Sequence, residues 1–420
     1  MATAHRFAMT EKGLMARATA LLPLVMSGCL GFAAPATASS EFDAFMARQA
    51  PDVEQEERAF RQYQMELEQA FDAYQKAYRQ EFEAYQKSIS QQWGEFLDAG
   101  PKTWISYVED NQIRRVVDFE RGTVAVSILR AEGASPEQVR ARIDRAITQL
   151  LNSTEADAFA SDTLSRRIEA RLLDTSSAVK TGQPGQHRLF AREDLAALSS
   201  RASPYVKVSA QASSPVHWEI TKTMSGEKEI VTANFVIPNS VQKKAERFSE
   251  EVTAAAVKER LPPELILAVI ETESSFNPMA RSHIPAYGLM QIVPRTAGRD
   301  ATRYLYGESK ILAPSYLYEI DKNIGVGSAY LHLLYYRYMR KIENPISRLY
   351  CVIAAYNTGA SNVGVAFTGK KSFSGAVSTI NSMTPQEVYQ TLTTRLSYEE
   401  TQKYLAKVTK RMKKYVRESS

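Results

Sequence analysis

From residue 60 to residue 96, large apolar side chains recur in steps of three, four and four. They are Phe60, Tyr63, Leu67, Phe71, Tyr74, Tyr78, Phe82, Tyr85, Ile89, Trp93 and Phe96. The eleven-residue unit shows in FDAYQKAY and again in FEAYQKSI. Eleven residues close three turns at about 3.67 per turn, so the stripe hardly drifts and the helix stays straight or slightly right-handed. No proline or glycine interrupts it before Gly94. At a rise of about 1.5 Å per residue it is on the order of 55 Å long. A helix of that length with one aromatic stripe needs a surface to bury it. Two are open: the chain's own domains, or a partner or second copy along residues 60–96.

The chain has 420 residues, which predicts two domains plus appendages. Hydrophobic residues make up 44% and charged residues 24%, the balance of a soluble globular protein. The net charge of +5 is mild; it is compatible with an anionic polymer, and no nucleic-acid partner is assigned. Cys29 and Cys351 are the only cysteines, too few and too distant for a disulfide framework or a metal cluster.

Arg6, Lys12 and Arg17 precede an apolar run over 18–34 and then the small residues Pro35-Ala36-Thr37-Ala38-Ser39. That order predicts a secretory signal over 1–38 and a periplasmic destination. Two processing routes are open. Ala36-Thr37-Ala38 is a cleavage site for soluble release, and Met26-Ser27-Gly28-Cys29 resembles a lipobox that would anchor the protein to the outer membrane through Cys29.

The rest divides into a long amphipathic helix (41–97, frayed over its polar start at 41–58), a smaller α+β domain (98–238) and an all-α domain (239–420). In the α+β domain, 104–108 and 114–129 read as strands, the latter turning at Arg121-Gly122. Helices are expected over 135–151 and 154–173, a loop over 175–185, and strands over 206–211, 217–223 and 229–237 with a turn at Ser225-Gly226. Pro238-Asn239-Ser240 then breaks the strand and caps the first of a series of helices. These are expected over 241–260, 263–274, 294–306, 316–341, 345–357, 385–392 and 397–417, with a further helix start at Gly288-Leu289-Met290-Gln291-Ile292.

Glu273 ends the apolar helix that carries Leu265, Ile266, Leu267, Val269 and Ile270, just before Phe276-Asn277-Pro278 turns the chain. A carboxyl there is partly desolvated, which raises its pKa and favours the acid form. Taken alone, a glutamate at a helix end is more often a solvated cap. Gln291, Tyr356 and Asn357 can hydrogen-bond or stack on a polar ligand without adding charge.

Three ordered segments carry a resemblance: Glu273-Ser274-Ser275-Phe276-Asn277-Pro278, then Gly288-Leu289-Met290-Gln291-Ile292, then Ala354-Ala355-Tyr356-Asn357-Thr358-Gly359. With the stretches 321–324 and 327–331 between them and the closing run 400–408, they resemble the lytic murein transglycosylases with a soluble-transglycosylase, goose-lysozyme-like domain. Upstream, Trp93-Gly94, Gly100-Pro101-Lys102, Tyr107 and 119–124 resemble the N-terminal domain of the C-type membrane-bound members, though the long aromatic helix before them departs from that pattern.

The resemblance implies an α+β multidomain chain with an all-α, lysozyme-like catalytic domain and peptidoglycan glycan strands as substrate. Glu273 would be the single acid/base. It would protonate the oxygen between N-acetylmuramic acid and N-acetylglucosamine, then take the proton of the muramyl 6-hydroxyl as that oxygen closes a 1,6-anhydro ring. Ser274, Met290, Gln291, Tyr356 and Asn357 would position the sugar, and Tyr404 would orient the acid or the N-acetyl group. No metal or cofactor is implied. Ordinary glycosidases use two carboxylates. Glu271 lies on another face of the helix, which leaves the substrate's own N-acetyl group as internal nucleophile. Two alternatives stand beside this reading: a lysozyme-type hydrolase, and a wall-binding protein in which Glu273 no longer works.

Overall fold

The computed structural model describes residues 36–175, 178–190, 223–225, 228–237 and 241–419. The expected signal up to residue 35, with Cys29, the strand over 206–211, all of the 217–223 strand but Thr223, and the break at 238–240 lie outside them. Residues Met1–Gln69 and Ala70–Ser420 form two compact units. Helix α1 (Ala36–Trp93) is continuous in both, and the residues expected to fray belong to it. It ends at Gly94, which takes the left-handed φ of 73° that glycine adopts without strain.

In the second unit, the α1 stripe is buried in the chain's own core. Phe71, Tyr74, Tyr78, Tyr85, Ile89 and Trp93 are all buried. The Tyr74 hydroxyl donates to the Tyr287 hydroxyl at 2.7 Å, and Tyr78 donates to the Ser282 carbonyl at 3.3 Å. Near its end, Trp93 donates to the Asn111 carbonyl at 2.7 Å and lies under the Arg114 guanidinium. Of the two surfaces open to this part of the stripe, the intramolecular one is occupied.

Three strands follow, β1 (Thr103–Val108), β2 (Ile113–Asp118) and β3 (Thr123–Leu129). Next come α2 (Pro136–Leu151), α3 (Glu155–Ser161), α4 (Thr163–Thr175), β4 (Val179–Lys180), β5 (Thr223–Ser225) and β6 (Lys228–Val236). The sheet is antiparallel in the order β1-β2-β3-β6-β5. Trp104, Val117, Val124 and Phe235 face one another across four strands, all buried. Helix α2 opens on a capping box between Ser135 and Gln138 and packs on β3. The single helix expected over 154–173 is two. Asp162 interrupts it, because its carboxylate caps the second piece by accepting from the Ser165 amide at 3.0 Å. The expected loop over 175–185 contains β4, which pairs in parallel with a strand 132 residues on, Val179 opposite Ile311.

The remainder is helical: α5 (Val241–Glu246), α6 (Ser249–Glu259), α7 (Pro263–Ser274), α8 (Arg299–Tyr306), the short β7 (Ile311–Leu312), α9 (Pro314–Leu317), α10 (Ile320–His332), α11 (Pro345–Thr358), α12 (Ala360–Thr368), α13 (Phe373–Asn381), α14 (Pro385–Arg395) and α15 (Glu399–Ser419). Helix α7 is the centre, with Leu265, Ile266, Ala268, Val269 and Ile270 fully buried. It packs on α6 and α15. Pro263 starts it where a missing N–H is harmless.

Several expected helices are broken for tertiary reasons. The stretch 241–260 divides at Phe248, which leaves the helix to stack on Phe276 at 5.8 Å. The stretch 316–341 divides at Tyr318, which is buried and reaches Asp162 at 3.4 Å. The wider π-helical turns Pro294–Gly298 and Leu333–Tyr338 flank α8 and follow α10. Helices α12 and α13 were not anticipated. Their sequence is rich in glycine and serine, and they form because Gly364 lets the chain approach closely, a Cβ there meeting the Ser372 carbonyl oxygen at 2.5 Å.

Candidate active site

Glu273 stands on the last turn of α7, and the helix stops one residue later. Ser275 and Phe276 both take left-handed φ values, 52° and 66°. Two consecutive non-glycine residues in that region are strained, and such strain collects where a side chain has to be aimed. The turn is secured from below: Phe276 stacks on Phe248, and Asn277, fully buried, donates to the Pro101 carbonyl at 3.1 Å.

The segment Gly288-Leu289-Met290-Gln291-Ile292 is not a helix start. It is a closed loop, with the amides and carbonyls of Tyr287 and Ile292 bonded reciprocally at 3.1 and 3.0 Å. Asn323, on α10, clamps it. Its amide donates to the Tyr287 and Leu317 carbonyls at 2.9 and 2.8 Å, and its oxygen accepts from the Met290 amide at 2.8 Å. Gly288, at φ 73°, has no room for a Cβ, which would meet Asn323 Nδ2 at 2.2 Å. Gln291 is held at φ 48° and donates to the Gly288 carbonyl at 3.0 Å.

The third segment closes the site. Tyr356, on α11, donates to the Met290 carbonyl at 2.8 Å and so ties the loop to the helix. Asn357 accepts from the Thr401 hydroxyl at 2.7 Å, which ties α11 to α15. Glu273, Gln291, Tyr356 and Asn357 keep partial exposure. Tyr404, on α15, is buried, and its hydroxyl has no partner of good hydrogen-bond geometry. That hydroxyl nonetheless lies close enough to Glu273 to perturb it.

The electrostatics favour an acid. Burial, above all, pushes the Glu273 carboxyl up to about 7. The Tyr404 hydroxyl pulls it back, the neighbouring Glu400 raises it, and the Lys102 ammonium lowers it. Burial and then the Glu273 charge push both the Tyr404 and Tyr356 phenols well above the usual tyrosine range, so both stay neutral donors. A carboxyl poised near 7 can give up and recover a proton at neutral pH.

Glu271 has another task. It accepts from Tyr415 at 2.7 Å and pairs with Arg411 at 3.0 Å, anchoring α15 to α7. Two of the side chains expected to position the sugar lie in the interior. Ser274 is fully buried and its hydroxyl donates to the Ile270 carbonyl at 3.0 Å, the usual back-bond of a helical serine. The Met290 side chain is also fully buried and packs on Gly327, where a Cβ would meet its sulfur at 2.3 Å. Met290 serves the site through its backbone. Asn323 and Lys102 were not singled out as site residues: the roles of both depend on neighbours distant in sequence. No cluster of three metal-ligating side chains occurs among the described residues.

Residues 250–378 match the transglycosylase SLT domain family, and residues 71–177 match the N-terminal domain family of membrane-bound lytic murein transglycosylase C. The membrane-bound lytic murein transglycosylases C of Klebsiella pneumoniae subsp. pneumoniae and of Klebsiella pneumoniae strain 342 are each 34% identical over 339 residues, which covers 77% of this chain and 84% of theirs. The chain belongs to the lytic murein transglycosylases. The 70 kDa soluble lytic transglycosylase of Escherichia coli is a solved structural relative at 18% identity and a TM-score of 0.33, overlapping 63% of this chain and 35% of that one. The match to the membrane-bound transglycosylases includes the end of the aromatic helix. From Phe71 onward α1 therefore lies within the stretch shared with the family's N-terminal domain.

Proposed function

We propose that this transglycosylase cleaves the β-1,4 bond between N-acetylmuramic acid and N-acetylglucosamine in peptidoglycan without water, leaving 1,6-anhydromuramoyl ends. The observation that carries the reading is one half-buried acid, Glu273, poised at about 7. It donates its proton to the glycosidic oxygen as the bond breaks. The resulting carboxylate then takes the proton of the muramyl 6-hydroxyl as that oxygen attacks the anomeric carbon. The acid is thereby regenerated. Glu271, the neighbouring carboxylate on α7, is engaged by Arg411 and Tyr415 and has no part in this. The substrate's N-acetyl group takes the place of a second carboxylate, one of the exceptions to the two-carboxylate pattern.

Gln291, Tyr356 and Asn357 line the half-open side and position the sugar, while Tyr404 orients Glu273 or the N-acetyl group. Positioning of this kind acts through effective molarity. The domain division follows from this reading, with 239–420 as the catalytic domain and 98–238 as a companion that reaches the site. The membrane-bound description of the relatives supports an envelope location; the reading adds periplasmic residence, reached either by release after Ala38 or by anchoring through a lipidated Cys29. Among the described residues no helix is long and apolar enough to cross a membrane.

Digestion of purified sacculi, followed by mass spectrometry, tests the assignment. The wild type should release anhydromuropeptides and Glu273→Gln none. Reducing muropeptides from the wild type, or anhydro products from the Gln variant, would overturn it.

A further inference from the structure

The sheet half of the chain does more than adjoin the helical half. The turn 100–103 closes on itself, with Gly100 and Thr103 exchanging backbone hydrogen bonds at 2.8 and 3.3 Å. The Pro101 carbonyl accepts from Asn277, in the turn that ends the Glu273 helix. The Lys102 carbonyl accepts from the Phe119 amide at 2.9 Å, and the Phe119 carbonyl accepts from Lys244. Lys102 is thus mounted on a rigid backbone bonded on both sides. Its ammonium is gripped by Glu120, on the β2–β3 turn, and three-quarters of its side chain is covered. Lys407 and Arg411 of α15 lie around the same Glu120 carboxylate.

We propose that Lys102 is a positioning residue of the transglycosylase site, held by the sheet domain against the turn that ends the Glu273 helix so that the catalytic carboxylate is steadied between its acid step and its base step. The inference rests on Glu273 being the acid/base proposed above. The groups facing Glu273 come from several elements. Glu400 and Tyr404 approach from α15, Tyr356 from α11, and Lys102 from the sheet domain. Glu271, on the same helix, is turned toward Arg411 and Tyr415. Of the groups that act on the Glu273 carboxyl, Lys102 is the cation. After the glycosidic oxygen has been protonated, Glu273 is an anion in a desolvated site beside a second carboxylate, Glu400. A fixed ammonium lowers the energy of that anion. Glu120 tempers the effect by sharing the same ammonium.

The test is the pH profile of anhydromuropeptide release by the full chain. In Lys102→Met the alkaline limb, set by loss of the Glu273 proton, should move to higher pH. Lys102→Arg should return it toward the wild type. Glu120→Gln keeps the Lys102 ammonium but removes the carboxylate that shares its charge, and should move the limb the opposite way, toward acid. It therefore carries the test even if Lys102→Met folds poorly. An active wild type whose limb stays put in both Lys102→Met and Glu120→Gln would overturn the role of Lys102 and leave the assignment of Glu273 standing. A wild type that releases no anhydro products would overturn both.

Discussion

Replacing Glu273 by Gln should abolish turnover and also stabilise the fold, but only where the carboxyl would otherwise be charged. Burial is the main reason that the group is raised from 4.5 to about 7. Between those values the folded protein holds a proton that the unfolded chain has released. Stability therefore falls as pH rises through the window. Below about pH 4.5 the two states are protonated alike and the site carries no penalty. Above about pH 7 the penalty is complete. At about 1.4 kcal/mol per pH unit the shift corresponds to about 3 kcal/mol, and the partial opening of the side chain to solvent reduces this to about 2 kcal/mol. The Gln amide is nearly isosteric and does not titrate, so any packing change it brings is the same at every pH. Urea unfolding followed by tryptophan fluorescence, at pH 5 and pH 8 and fixed ionic strength, isolates the effect. The advantage of Glu273→Gln over wild type should be about 2 kcal/mol larger at pH 8 than at pH 5. An advantage that is equal at the two pH values, or reversed, would refute the claim that a desolvated Glu273 is charged at a cost to the fold.

Asn323→Ala removes three buried hydrogen bonds that hold the Gly288–Ile292 loop and leaves the Tyr287 and Leu317 carbonyls and the Met290 amide short of partners. At about 1 kcal/mol or more for each, the loss should be about 3–4 kcal/mol in urea unfolding, with activity lowered as Gln291 loses its support; a loss under about 1 kcal/mol would contradict the clamp. If Cys29 carries a lipid, radiolabelled palmitate should mark the wild type and not Cys29→Ser, and an unlabelled wild type would leave cleavage after Ala38 as the processing route.

Much of the architecture was legible because the periodicities are local. The 3-4-4 aromatic stripe defined α1, the alternating stretches defined β1 to β3, and Pro263 with its apolar run defined α7 to the residue. Errors fell where a distant partner decides. Asp162 caps one helix and ends another, Phe248 leaves its helix for Phe276, and α12 and α13 form from weak helix formers because Gly364 allows close packing. The same division holds for the site. Side-chain types at Glu273, Gln291, Tyr356 and Asn357 pointed to an acid in a polar cleft, and all four keep an open face. Ser274 and Met290 sit within the same motifs, but their side chains point inward, which residue order alone does not reveal.

The sequence by itself pointed to Glu273 as the candidate acid, through the ordered motifs around it and the apolar helix it ends, because both are local patterns. It also determined that the aromatic helix would bury its stripe. The tertiary structure decided where: against Tyr287, Ser282 and the sheet, and so within the same unit. It also decided which charged and polar groups surround the Glu273 carboxyl. Tyr404 and Glu400 come from the last helix, and Lys102 from a turn more than 170 residues before Glu273. A carboxyl's pKa depends on burial and on charges within a few ångströms, and those distances are set by packing rather than by spacing along the chain.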